Sequence, residues 1–104
     1  MAVGAHASPT RGTMTAKQEV QPGHVAMFSD MELQGSNVTD ISVDATGGEI
    51  DCLLLNEKGK VVAKDESKGN SCRIRFAPRK TSRYTLLVTN IDPNGPAIAQ
   101  VVIQ

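Results

Sequence analysis

The sequence has no tryptophan, one tyrosine and two phenylalanines among 104 residues. Aliphatic side chains must therefore fill its core, and a nucleic-acid surface built on successive aromatic stacking platforms is excluded. Histidine is nearly as scarce, with only His6 and His24. A hydrolase needs a nucleophile, a base and an oxyanion site in one cleft. With no Gly-x-Ser-x-Gly, no His-Glu-x-x-His and His24 as the single well-placed imidazole, the sequence carries no catalytic constellation. Net charge is missing too: eleven basic and eleven acidic side chains cancel, so no overall field draws the protein to nucleic acid or an anionic membrane. No apolar run approaches the roughly 18 residues a membrane span requires. No stretch repeats apolar residues at i, i+3 and i+4, so helix should be nearly absent.

What is present alternates with a period of two. Val25, Met27, Met31 and Leu33 alternate with His24, Ala26, Phe28, Asp30 and Glu32. Ile41 and Val43, then Ile50, Cys52 and Leu54, then Cys72, Ile74 and Phe76, then Tyr84, Leu86 and Val88 each occupy one face of a run. Val61 to Ala63 is a short strand and "AIAQVVIQ" closes the chain. Turn signals separate these runs: "QPGH", "LQGSN", "ATGGE", "NEKGK", "SKGN" and "DPNGP". In "NEKGK" Gly59 is placed as the left-handed residue of a hairpin before Lys60 re-enters a strand. Short strands spaced by such turns predict an all-β antiparallel sandwich or jelly roll of seven or eight strands. At this length there is one core, which we place in a single domain over residues 13–104. Residues 1–12, rich in Gly, Pro, Ser and Thr with Ala5 and Ala7 flanking His6, are expected to be a flexible leader, read as the remnant of an export signal with an ordinary leader of a cytoplasmic protein as the alternative.

"EIDCLLLNEKGKVVAKD" followed by "CRIRFAPRKTSRYTLLVTN" resembles the bacterial pre-peptidase C-terminal domain over about Glu49–Asn90. Glu49 and Asp51 stand at the acidic-x-Asp pair of that pattern, Gly59 at its turn, Phe76 and Pro78 at the strand end, and Thr81 and Tyr84 in its closing motif. Ser82 replaces the usual glycine of that motif, and Leu53 and Leu55 replace common tyrosines. The resemblance implies a β-sandwich that serves as a non-catalytic module, either appended to a secreted hydrolase or standing alone.

Cys52 and Cys72 are the only thiols. Each shares a strand face with Ile or Leu, so both should point inward. A disulfide there would remove about 3 kcal/mol of loop entropy from the unfolded chain. Two buried free thiols are the alternative, and a metal or redox site would have to recruit His6 from the leader. Met14, Met27 and Met31 with His24 suggest soft copper ligands, but Met27 and Met31 share the predicted inward face while His24 lies on the other, so core packing is preferred. Asn37 heads an Asn-Val-Thr glycosylation sequon, read here as a turn into a strand.

Two groups of charged residues are candidate sites. Glu49, Asp51, Asp40 and Asp44 are candidate calcium ligands, since strand-end carboxylates are the hard oxygen donors that Ca²⁺ takes. Otherwise no cofactor is implied. Arg73, Arg75, Arg79, Lys80 and Arg83 form a candidate polyanion surface. The competing expectation comes from charge segregation. Residues 1–55 carry two basic and seven acidic side chains, residues 56–104 nine and four, so these arginines can instead pair with acids on neighbouring strands. The sequence thus predicts a periplasmic or extracellular, non-catalytic interaction module for a protein or cell-envelope glycan. A calcium-stabilised accessory domain of a secreted hydrolase and a small-ligand or metal carrier are the alternatives.

Overall fold

The computed structural model describes residues 14–104. The expected leader 1–12 and His6 lie outside the described residues. Eight strands follow one another: β1 (Met14–Val20), β2 (Val25–Leu33), β3 (Thr39–Thr46), β4 (Ile50–Leu55), β5 (Val61–Asp65), β6 (Ser71–Phe76), β7 (Ser82–Asn90) and β8 (Ala97–Ile103). They form two four-stranded sheets, β1-β8-β3-β6 and β2-β7-β4-β5, with every paired strand antiparallel. This order is that of a jelly roll, in which the chain crosses from sheet to sheet at nearly every connection. Among the described residues, only β4 and β5 are neighbours both in sequence and in a sheet.

Alternation explains why the sheets stack. Ile41 and Val43 of β3, Ile50 and Leu54 of β4, Leu86 and Val88 of β7, and Val101 and Ile103 of β8 are all buried. Together with Phe28, Met31 and Leu33 they fill the space between the sheets. Each such side chain contributes about 1.5–3 kcal/mol of transfer free energy when fully buried. Cys52 and Cys72 are in this layer and are joined by a disulfide, with their Cα atoms 6.3 Å apart. Because Cys52 is on β4 and Cys72 on β6, the bond ties one sheet to the other.

One strand departs from the predicted phase. Val25 and Met27, expected to face inward, are 50% and 57% exposed, whereas Ala26 and Phe28 are buried. A β-bulge is responsible: Phe28 pairs with Leu86 and Met31 with Tyr84, so Ser29 and Asp30 together oppose one residue of β7. Asp30 takes a positive φ of 59°. The extra residue inverts the alternation, leaving Met31 and Leu33 inward as expected while Met27 turns out to solvent. Met27 and Met31 therefore occupy opposite faces. The strand β1 had no separate signal, since Gln18 sits in phase with Met14, Ala16 and Val20 and breaks the apolar series.

Candidate functional site

The basic residues divide into two groups. Arg73 and Arg75 project from the outer face of β6, which is paired with β3 so that Arg75 lies opposite Asp40 and Arg73 opposite Ser42. The Arg73 Nη2 donates to Asp44 Oδ1 at 3.0 Å and the Arg75 Nε lies 3.7 Å from Asp40 Oδ1. Arg83 on β7 is 3.8 Å from Asp30 at the bulge. Arg79 and Lys80 sit instead on the β6–β7 loop, and among the described residues neither has a carboxylate within ion-pair distance.

Those two residues form one wall of an open cleft of about 470 Å³. Its opposite wall is the β4–β5 hairpin with Asn56, Glu57 and Lys58, and Phe76 and Tyr84 form its floor. The hairpin is shaped by Asn56, whose Oδ1 accepts the N–H groups of Lys58 and Lys60, each at 2.9 Å. Gly59 supplies the positive φ of 80° that the sequence anticipated. Ser82 of β7 donates its hydroxyl to the Glu57 carboxylate, bracing the hairpin tip against the neighbouring strand of the same sheet. Phe76 and Tyr84 meet edge to face, with centroids 5.3 Å apart and planes at 68°.

The β6–β7 loop is clamped to the turn after β2. Ser36 donates its N–H to the Pro78 carbonyl at 2.9 Å, and Gly35 donates its own to Thr81 Oγ1 at 3.0 Å. The Thr81 hydroxyl donates to Gln34 Oε1 at 3.3 Å. Gly35 is required by proximity, because a Cβ there would lie 2.5 Å from the Lys80 Cα. Phe76, Pro78, Thr81 and Tyr84, recognised in the sequence as a motif, thus fix a loop and a floor. The partners that hold them, Gly35 and Gln34, lie more than forty residues away along the chain, and no local pattern announces such a contact.

The four candidate calcium ligands are not brought together. Asp40 and Asp44 lie on the outer face of the first sheet with their arginine partners, whereas Glu49 and Asp51 lie at the start of β4 in the second. Among the described residues no set of three His, Cys, Asp or Glu side chains is arranged to hold a metal ion. Asp51 has other neighbours. Partial burial, then the charges of Glu66, Glu49 and Asp65, push its carboxyl above the ordinary value. Asp65 behaves oppositely: hydrogen bonds from the Ser67 hydroxyl and from the Arg73 and Ser67 N–H groups hold it low. His24 and Asn37 are exposed, and Met31 is buried in the core while Met27 is not.

The outer faces of the two sheets differ in chemistry. The first presents Lys17, Gln100 and Asp44 in a cross-strand row. In the second, Met27 of β2, Leu87 of β7 and Leu53 of β4 stand in register, and Leu55 pairs with Val61 in the next row. Four strands about 4.8 Å apart, with some six residues at about 3.4 Å, make this face roughly 400 Å². Its apolar part is the middle row, where Met27 is exposed and Leu53 and Leu87 are half-buried, with Lys64 standing opposite Leu53 at the edge. Sequence reasoning missed it, because the bulge hid Met27 and because Leu53 and Leu55 belong to an unbroken apolar run.

No family model matches the chain, and no curated protein does. Solved structures do. The pre-peptidase C-terminal domain of a collagenase from Bacillus anthracis superposes with a TM-score of 0.71 at 22% identity, over 86% of this chain and 87% of that one. Aeromonas hydrophila PliG, a periplasmic lysozyme inhibitor of g-type lysozyme, superposes with a TM-score of 0.66 at 9% identity, over 100% of this chain and 95% of that one. Identities this low establish likeness of fold, and the fold of this chain is the antiparallel β-sandwich of the pre-peptidase C-terminal domain.

Proposed function

We propose that the chain is a non-catalytic binding module of the periplasm or cell exterior whose outer face on the second sheet docks a protein. The observation that carries this is the in-register row of Met27, Leu87 and Leu53 on the solvent side of a sheet whose other side already fills the core. Charge narrows the partner. Asp51, Glu49 and Glu66 stand at one end of the face, where partial burial first and neighbouring carboxylates second raise the Asp51 carboxyl, so an apolar surface with a basic rim is complementary. The inter-sheet disulfide suits an oxidising compartment. The structural neighbours, a domain of a collagenase and a periplasmic inhibitor of a lysozyme, accord with export and with action through contact. A carrier role is disfavoured because the interior between the sheets is filled by fully buried side chains.

The test compares proteins captured from envelope extract by the wild type, by Met27→Glu/Leu87→Glu, and by Ile98→Glu on the other sheet. Melting curves should show all three folded. Loss of a specific partner from the double variant alone is the expected result. Identical capture by all three would overturn the assignment of this face.

A further inference from the structure

We propose that the cleft between the β4–β5 hairpin and the β6–β7 loop is a second binding site, for an acidic sugar unit of a glycan. The apolar side of the sugar ring would lie on Phe76, and its carboxylate or sulfate would be held by Arg79, Lys80 and Lys58. The volume, about 470 Å³, is within the range of small-ligand sites, which pair apolar walls with a few convergent polar groups. Phe76 provides the apolar surface and Tyr84 fixes its ring from the edge.

Charge selects an anion. Lys58, Arg79 and Lys80 line the cleft against a single acid, Glu57, whose carboxylate already accepts the Ser82 hydroxyl. Among the described residues none of these three cations has a carboxylate partner, whereas Arg73, Arg75 and Arg83 each have one. An unpaired guanidinium is suited to bidentate capture of a carboxylate or sulfate. Both walls are pre-formed, one by Asn56 and the Ser82–Glu57 bond, the other by the clamp of Gly35, Ser36 and Thr81 on the loop. Little backbone freedom is then lost on binding.

An acidic sugar fits better than other anions. Its ring offers an apolar C–H face and an anionic group within one residue, the two features the cleft places together. A nucleic-acid strand needs successive aromatic platforms, and this chain has three aromatic side chains in all. An extended acidic peptide would satisfy the cations and leave Phe76 uncovered. The site is separate from the sheet face, since neither Met27 nor Leu53 lines it, so the two assignments can fail independently.

Calorimetric titration at low salt with an oligogalacturonate, its methyl-esterified neutral form, a sulfated oligosaccharide and polyglutamate tests the proposal. Saturable binding of either acidic oligosaccharide is expected, at least about tenfold tighter than the neutral ester and falling steeply with salt. Arg79→Ser/Lys80→Ser should weaken it about tenfold or more, as removal of charge-assisted contacts implies. Arg73→Ser should leave it within about twofold of wild type, because that side chain is remote and paired. Phe76→Leu keeps apolar volume without the ring and should weaken the sugar complex. If that variant melts early, the Arg79/Lys80 pair decides. Failure of both acidic oligosaccharides to bind, equal or tighter binding of polyglutamate, or an equal loss in the Arg73 variant would overturn the proposal.

Discussion

At the scale of the residue, Asn90 does what no pattern in the sequence announces. It is fully buried at the end of β7, where its side-chain amide donates to the carbonyls of Val20 and Gly95, each at 2.9 Å, and accepts the Asp92 N–H at 2.9 Å. One side chain thus joins the end of β1 to the connection before β8. Asn90→Ala leaves those groups without partners and should cost about 2–3 kcal/mol, measured by urea unfolding. The two shifted carboxyls make opposite pH predictions. Asp51 is raised above its ordinary 3.8, so its contribution is fully present below that value and is lost as pH rises through the folded value. Asp65 is lowered from 3.8, so its contribution is present above that value and is lost as pH falls through the folded value. Asp51→Asn should therefore be neutral or stabilising at pH 7 and Asp65→Asn destabilising there. Both differences should fade in acid, and carboxyl ¹³C titration should order the midpoints Asp65 below Asp51.

At the scale of the element, the bulge in β2 decides which side chains meet solvent. Asp30 holds the positive φ, a conformation open to Gly, Asn and Asp but costing a β-branched residue about 1–2 kcal/mol. Asp30→Gly should stay within about 1 kcal/mol of wild type, since the Arg83 pair it removes is exposed and worth no more than about that. Asp30→Val should destabilise by about 2 kcal/mol. Urea midpoints compare the two, and a Val variant as stable as the Gly variant would refute the strain assigned to this position. Most strands needed no such device. In β3, β4 and β7 the alternation of Ile41 and Val43, Ile50, Cys52 and Leu54, and Tyr84, Leu86 and Val88 was legible because a solvated polar or half-buried residue separates each buried pair.

At the scale of the whole molecule, the disulfide adds a side-chain crosslink between two sheets already joined by the backbone, closing a span of 20 residues from Cys52 to Cys72. Reduction should cost about 3 kcal/mol through the freed unfolded chain. For a domain of this size that lowers the melting temperature by about 10–20 °C. Calorimetry with and without reductant checks this, and an unchanged melting temperature would show that packing alone holds the sheets together. The polar and apolar outer faces also belong to this scale. Lys17, Gln100 and Asp44 come from three strands far apart in sequence, as do Met27, Leu87 and Leu53.

The sequence by itself determined the class of fold, the strands after the first, the inward phase of both cysteines and the left-handed turn at Gly59. Each depends on residues within a few positions of one another, where side-chain alternation and turn stereochemistry are local physics. Only the tertiary structure decided the jelly-roll order, the outward turn of Met27 and the partition of the basic residues. Arg73, Arg75 and Arg83 are spoken for by Asp44, Asp40 and Asp30, while Arg79 and Lys80 face a cleft built by a hairpin some twenty residues upstream and clamped by Gly35. Whether a charge is paired or free depends on which strands lie side by side. In a jelly roll the adjacent strands are mostly distant in sequence, so local patterning carries no record of them.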